Sequence, residues 1–360
     1  MPSLSPSSLR VVVRGAGSIG QRHARVFRQE GADVALWPVR DRGLGPDSVD
    51  AVDEATGARL LDDSTGPAAL RDALVVVATD TSRHVADALQ ALDSGATAVL
   101  VEKPVATTAD DATALTEHPR SGDVWVAAPL RAHEAFRHLH RLVGRLDEGG
   151  SAHVWSQSWL PDWRPARDYR ESYSARPDEG GVLRDLVHEI DYATVLFGAP
   201  TLVGARVATS GPLDIAADQA ATLLWAAGRF DITARLDYTT RPTTRGVVVH
   251  SPAGILEWDV VRATIRHTTP DGDVTEQVFD HDLDRDIVMG TQARAALELR
   301  AWAPAQQRIP RGAPANLAEG VAAVRLCDEA RAFDGRCTTP ATDPPHDTQH
   351  DAEDHTEDDS

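Results

Sequence analysis

Apolar residues follow two rhythms along this chain. Between Leu9 and Ala128, short unbroken apolar runs alternate with stretches of helical periodicity. Leu9–Val13, Asp33–Trp37, Ala73–Ala78, Ala98–Val101 and Asp123–Ala128 read as strands buried on both faces. Strands of this kind separated by helices predict α/β architecture: an N-terminal Rossmann doubly wound parallel sheet over residues 9–128. Beyond Pro129 the character changes. Val182–Phe197 reads as one helix. From Ala220 to Phe279 apolar and polar residues alternate, with turns at Pro252-Ala253-Gly254 and Pro270-Asp271-Gly272. That pattern predicts an α+β domain with an open, mainly antiparallel sheet over 129–337. Residues 1–8 and 338–360 are expected to be disordered.

Charge and length narrow the class. The chain has 360 residues, 55 acids against 36 bases, and a net charge of −19. With no basic excess to release counterions, a nucleic-acid partner is not expected. No apolar run is long enough for a membrane helix, and the first residues lack a basic-then-apolar leader, so a cytoplasmic protein is expected. Cys327 and Cys337 cannot build a disulfide framework or a four-ligand zinc site. The stretch 338–360 is acidic and poor in apolar residues, and its His346, His350 and His355 read as solvated rather than as metal ligands. One further count matters. The chain has 35 arginines and a single lysine, Lys103. Lysine, unlike arginine, can be shifted towards neutrality by its surroundings, which makes Lys103 a catalytic candidate.

Candidate chemistry clusters at the carboxyl ends of the predicted strands. Gly15-Ala16-Gly17-Ser18-Ile19-Gly20 follows the first strand and opens a helix, the context a dinucleotide-binding G-x-G-x-x-G requires. Gly15 permits the tight turn, Gly17 lets a pyrophosphate approach the backbone, and Gly20 lets helix and strand pack closely. Thr79–His84 and Glu102-Lys103-Pro104 end two further strands, so three loops converge on one crevice. On a helical wheel Leu183, Val187 and Ile190 share one face, and Asp185, His188, Glu189 and Tyr192 the other. Asp185 and His188 stand three apart and can touch, which would fix the imidazole tautomer and raise its basicity; a solvated surface helix is the alternative. Arg131, His133, His138 and His140 read as a solvated helical face. Asp280, Asp282, Asp284 and Asp286 read as helix-start acids rather than a calcium loop. Between Trp155 and Tyr173 lie five of the 18 aromatics, interleaved with Arg164, Arg167 and Arg170. Aromatic faces with bidentate donors suit a sugar bearing a carboxylate or phosphate, or else an interface strand between subunits.

These pieces together resemble the Gfo/Idh/MocA oxidoreductases (glucose–fructose oxidoreductase, inositol dehydrogenase, rhizopine catabolism). The resemblance rests on Gly15–Gly20, Thr79–His84, Glu102-Lys103-Pro104, and Gly180-Gly181 leading to Asp185…His188-Glu189-Ile190-Asp191. Leu160–Pro165 and Asp168–Ala175 look like a subgroup acting on sugars and sugar acids. The resemblance implies reversible hydride transfer between NAD(P) and a carbinol of a sugar, sugar acid or cyclitol. It implies that Lys103 polarises the substrate oxygen, that His188 is the general acid/base with Asp185 beside it, and that Glu102 touches the nicotinamide ribose. It also implies a homodimer or homotetramer through the second sheet.

The expected cofactor contacts are Gly15, Gly17, Ser18, Ile19, Gly20, Arg40, Arg42, Thr79, Asp80, His84, Glu102 and Lys103. The expected substrate contacts are Arg131, Trp163, Arg164, Tyr169, Arg170 and Arg184, which suit an anionic group; no metal is expected. Many family members place the catalytic Asp four residues before the His, where this chain has Arg184. At the second strand's end Arg40 and Arg42 suit a 2′-phosphate, favouring NADP, while Asp41 keeps NAD as the alternative. Two further readings stay open: a redox-assisted epimerase or glycosidase that holds its cofactor, and a cofactor-sensing regulator without turnover.

Overall fold

The computed structural model describes residues 9–39, 52–300 and 309–334. Arg40, Asp41, Arg42 and the acidic stretch 338–360 lie outside the described residues. Seven strands form the first sheet: β1 (Arg10–Arg14), β2 (Asp33–Trp37), β3 (Arg59–Leu60), β4 (Leu74–Val77), β5 (Ala98–Val101), β6 (Val124–Val126) and β15 (Ala315–Asn316). Their order is β15-β6-β5-β4-β1-β2-β3. All neighbours are parallel except β15, which closes the β6 edge antiparallel with Ala315 opposite Val126. Without β15 this is the Rossmann order, with its switch point between β1 and β4.

The helices are α1 (Ser18–Gln29), α2 (Gly66–Ala69), α3 (His84–Asp93), α4 (Thr113–Thr116), α5 (Glu134–Val143), α6 (Val182–Asp185), α7 (Val187–Phe197), α8 (Arg285–Arg300) and α9 (Leu317–Asp334). The β1 run Val11-Val12-Val13 is apolar throughout because both faces are covered. Val11 and Val13 pack with Ala24 and Phe27 of α1, and Val12 packs with Val75, Ala88 and Val99 on the other side.

The second sheet holds β7 (Gly150–Trp159), β8 (Thr201–Ala208), β9 (Ala220–Ala227), β10 (Phe230–Asp237), β11 (Thr239–Ser251), β12 (Gly254–Asp259), β13 (Thr264–Thr268) and β14 (Val274–Val278). Their order is β14-β13-β12-β11-β7-β10-β9-β8, antiparallel except for the β7–β10 pair. Here burial alternates, as an open sheet requires. Phe230, Ile232, Ala234 and Leu236 of β10 are buried with Val187 and Ile190 of α7, while Asp231 and Thr233 face out.

The sequence reading assigned residues 129–337 to the second unit. The structure instead returns the chain to the first sheet. Met289, Ala293, Ala296 and Leu297 of α8 join Phe27 in the first core. Within α9, Leu317, Val321 and Val324 join the core around Val126, whereas Ala323, Leu326, Cys327 and Ala330 join the core of the second sheet. A helix with apolar residues on all sides is buried between two layers, and α9 is rooted in both. No described helix is long and apolar enough to cross a membrane.

Candidate active site

The glycine loop is built around one open position. Gly15 (φ +105°) donates its N–H to the Trp37 carbonyl at 2.8 Å, and a Cβ there would lie 2.4 Å from the Ala78 carbonyl oxygen. A Cβ on Gly20 would sit 2.0 Å from the Gly15 oxygen. Gly17 is different: nothing lies within 4 Å of its missing Cβ. It caps α1 with no side-chain hydrogen bond, and the first turn, with Ser18 and Ile19, carries no acid. The helix therefore presents unsatisfied N–H groups and its positive end to open space, a cradle for an anion. The residues present fit a dinucleotide pyrophosphate.

Glu102-Lys103-Pro104 leaves β5 beside this loop, with a cis peptide between Lys103 and Pro104. Glu102 is held from two sides. His23 of α1 meets its Oε1 at 2.6 Å, and the Lys103 N–H donates to its Oε2 at 3.1 Å. Burial pushes the Glu102 carboxyl up, but the His23 hydrogen bond and the charges of His23 and Lys103 outweigh it and hold the group below its usual range. His84, expected at the cofactor, is a buried staple instead. Its Nδ1 lies 2.8 Å from the Pro104 carbonyl oxygen and its Nε2 3.1 Å from that of Thr79. Thr79 keeps a buried hydroxyl without a hydrogen-bond partner, and Asp80 follows it in the same loop, its carbonyl accepting from the Arg83 N–H.

Lys103 and His188 line one cavity, with Pro104, Ala128 and Asp191. Lys103 Nζ donates to the main-chain carbonyl of Asp185 at 2.9 Å. That contact explains a departure from the expected continuous helix over 182–197. Inside a helix the Asp185 carbonyl would accept the Glu189 N–H. Here Lys103 takes it, Glu189 N–H turns to Leu186 O at 3.2 Å, and the helix breaks at Leu186 into α6 and α7. The break alters the expected geometry. Asp185 does not hydrogen-bond His188; its Oδ2 accepts the Tyr238 hydroxyl at 2.6 Å. Burial and the Asp185 carboxylate push the Tyr173 and Tyr238 phenols above their usual 10. Asp185 thus acts on Lys103 through its backbone and on the two tyrosines through its carboxylate.

His188 has no hydrogen-bond partner among the described residues. Burial and then the charges of Lys103, Arg245, Arg285 and His133 hold its imidazole well below the usual 6.5, so it is neutral at neutral pH. A neutral, unpartnered imidazole beside an ammonium can accept a proton from a hydroxyl.

The alternative of a solvated surface helix does not hold, since Asp185, Glu189, Asp191 and Tyr192 are buried. Glu189 is fully buried and takes a two-point ion pair from Arg245 of β11, at 2.6 and 3.1 Å. Asp191 is buried and bound by Arg131 through Nε and Nη2 at 2.8 and 2.6 Å, while Arg131 Nη1 reaches Glu319 at 2.7 Å. Arg131, expected at the substrate, is therefore a clamp joining the 3-10 turn Pro129–Ala132 before α5 to α7 and α9. Arg184 is likewise committed. It donates to the carbonyls of Thr107 at 2.8 Å and Pro177 at 2.9 Å, tying the two units together. His133, expected in solvent, is buried against Trp258, and burial lowers it to about 4. Asp282 caps α5 through the Glu134 and Ala135 N–H groups, Asp284 caps α8, and Asp286 binds Arg22 and Arg25 of α1.

The aromatic segment after β7 forms a strap of short 3-10 turns. Trp163 donates to Ser158 Oγ at 3.0 Å and stands edge-on to Tyr238 at 5.4 Å, two contacts from Lys103. Arg164 lies over Tyr173 at 5.8 Å. Arg170 covers Tyr169 at 4.7 Å, with Asp168 and Asp214 each 3.3 Å away, so its charge is balanced locally. Sequence reasoning missed four residues at the site: His23, Tyr238, Arg245 and Arg285. His23 stands three residues beyond Gly20 of the glycine loop, the other three come from elements distant in sequence, and none carries a motif.

Comparison with known proteins agrees with this geometry. Residues 9–128 match the family model of the Gfo/Idh/MocA oxidoreductases, NAD-binding Rossmann fold. No curated protein matches the sequence. Among solved structures, levoglucosan dehydrogenase in complex with NADH and levoglucosan is 14% identical, with 91% of this chain and 97% of that chain covered and a TM-score of 0.72. Biliverdin reductase from Synechocystis sp. PCC 6803, with biliverdin and NADP+, is 19% identical, covering 92% and 100%, TM-score 0.69. The WlbA dehydrogenase from Bordetella pertussis, with NADH and UDP-GlcNAcA, is 18% identical, covering 91% and 97%, TM-score 0.68. Identities this low establish a shared two-sheet fold and nothing finer. Residues 9–128 thus match the NAD-binding Rossmann domain of the Gfo/Idh/MocA oxidoreductases, and the whole chain shares the two-sheet fold of these structures.

Proposed function

We propose that the protein moves a hydride between a nicotinamide and a carbinol carbon of a sugar, sugar acid or cyclitol, with NADP favoured over NAD. The observation that carries the reading is Lys103 and a neutral His188 lining one cavity, with Lys103 and the open Gly17 cradle both at the carboxyl ends of strands of the same parallel sheet. The nicotinamide, when bound, supplies the hydride chemistry. The chain supplies the rest. The α1 N-terminus and the Gly17 backbone hold the pyrophosphate, and Glu102, braced by His23, stands at the nicotinamide ribose. His188 takes the hydroxyl proton at an imidazole nitrogen, or returns it in the reverse direction. Lys103 Nζ, aimed by the Asp185 carbonyl, places positive charge beside the oxygen as it becomes anionic.

An anionic substrate group fits one further cation. Arg245 is spent on Glu189, but Arg285 at the start of α8 is exposed, with no hydrogen bond or ion pair among the described residues, and its charge is felt at His188. Trp163 and Arg164 on the strap would face the rest of the substrate. The outward face of the second sheet exposes Val203 and Leu224, at 53% and 41%, and would carry the dimer or tetramer contact.

The test is Lys103→Met, assayed with NADP over a panel of sugars and sugar acids. Turnover should be abolished while cofactor binding stays nearly intact. Full activity in the variant would remove the mechanism.

A further inference from the structure

The adenosine end of the cleft holds an arginine that no motif marks. In NAD-preferring Rossmann folds a carboxylate at the carboxyl end of the second strand grips the ribose diol, whereas an arginine nearby accommodates a 2′-phosphate. Among the described residues β2 ends with Trp37-Pro38-Val39, none of them acidic. Arg14 is the last residue of β1, directly before the glycine loop, and its side chain crosses to the β2 tip. There its guanidinium lies 3.9 Å over the Trp37 ring, and Nη1 donates to the Pro38 carbonyl at 2.7 Å.

The surrounding charges balance, but this guanidinium keeps an unused donor. Its Nε is buried without a hydrogen bond, 3.6 Å from Asp87 Oδ1, and Asp87 Oδ2 is also without a partner. Asp87 gives its closer contact, 3.0 Å, to Arg83 at the start of α3. The other carboxylate near the indole, Asp63, accepts from Trp37 Nε1 at 3.1 Å. Two guanidiniums therefore face two carboxylates, and Nη2 of Arg14 has no hydrogen bond among the described residues. A guanidinium held flat on an indole is oriented in advance, and Nη2 is the donor it can offer to a phosphate.

We infer that Arg14 is a cofactor-specificity residue: its guanidinium, fixed on Trp37 at the carboxyl end of β2, takes the 2′-phosphate of an NADP-type dinucleotide. The inference rests on the proposed nicotinamide chemistry and names a determinant outside the 40–42 segment.

The test is a set of binding titrations on the full-length protein, with NADPH, NADH, 2′,5′-ADP and 5′-ADP. The forms compared are wild type, Arg14→Gln and the double variant Arg40→Gln/Arg42→Gln. Wild type should bind NADPH at least about tenfold tighter than NADH, a gap of roughly 1.4 kcal/mol. Arg14→Gln should weaken NADPH and 2′,5′-ADP by about that factor and leave NADH and 5′-ADP within about twofold. Equal weakening of all four ligands would make Arg14 a packing residue and overturn the inference. So would a preference that survives Arg14→Gln and disappears in the double variant. If Arg14→Gln fails to fold, Arg14→Lys keeps the charge but loses the planar guanidinium; an unchanged NADPH preference there also overturns it. Wild type preferring NADH defeats this inference alone. Wild type that binds no dinucleotide, once pre-bound cofactor has been removed, defeats the oxidoreductase reading beneath it.

Discussion

Glu189→Ala should be among the most damaging single substitutions in this chain, although Glu189 touches no expected ligand. Its carboxylate is fully buried and fixed by Arg245 at 2.6 and 3.1 Å. Removing one partner of a buried pair leaves an uncompensated charge and costs roughly 3–5 kcal/mol. The Arg245 side chain keeps 23% of its exposure, so water relieves part of that charge and the lower end, about 3 kcal/mol, applies. At about 2.1 cal/mol/K of unfolding entropy per residue, a single transition of this chain shifts by about 1.3 °C per kcal/mol, so the melting temperature should fall by roughly 4 °C. The double variant Glu189→Leu/Arg245→Met buries no charge and should recover at least half of the loss. Thermal melts and urea titrations of the three proteins measure this. A loss below about 1 kcal/mol in the single variant, or a double variant as unstable as the single, would refute the claim that the pair is electrostatically committed.

Other expectations follow from the same geometry. Gly17→Ala should fold normally, since its Cβ meets nothing, yet lose dinucleotide affinity; Gly20→Ala should lose stability, since its Cβ would meet the Gly15 oxygen at 2.0 Å. Paired melting and NADPH titrations separate the two, and a Gly17→Ala protein with unchanged affinity would empty the cradle of its role. His84, His133 and His188 are all held below 6.5 in the fold, burial being the largest cause in each. Below pH 6.5 the unfolded chain takes up protons at these rings and the folded chain does not, so stability should fall as pH drops from about 6.5 towards 4. Melting temperatures at pH 7.5 and 5.0 check the sign. For the same reason, carbinol oxidation should pass through pH 6.5 without an acid limb, and a limb centred there would deny His188 the part of base. Arg285→Gln should raise KM for a sugar-acid substrate several-fold and leave a neutral sugar unaffected; equal effects on both would dissociate Arg285 from the anion.

The features legible in the sequence were those whose cause is local. Gly15 and Gly20 are glycines because neighbouring backbone occupies the space of a side chain, and that requirement shows as a spacing. Val11-Val12-Val13 shows as an unbroken run because both sides of the strand are covered. Lys103 stood out by type alone. What stayed hidden depends on partners supplied by the tertiary fold. Arg131 and Arg184 looked like substrate contacts because an arginine's partner is not written beside it; theirs lie 60 and 77 residues away. The wheel drawn for Asp185 to Tyr192 assumed an unbroken helix, and it left a solvent face open as the alternative. Lys103 removes the first by capturing one carbonyl, and Arg245 and Arg131 remove the second by neutralising buried acids. The return of α8, β15 and α9 to the first sheet carries no periodic signature, since those segments are apolar on several sides at once.

That return has a consequence for how the protein comes apart. A helix anchored in two cores transmits the loss of either one to the other, so the Rossmann sheet and the open sheet should melt in a single transition rather than in sequence. A fragment ending near Ala128 would lack β15, leaving the β6 edge unpaired, and would lack the α8 residues that cover Phe27. Such a piece offers an open strand edge and an uncovered apolar surface to its own copies. The Rossmann half of this protein is thus not a portable module: its fold is finished by residues made some two hundred positions later, so a ribosome must synthesise nearly the entire chain before either half can settle.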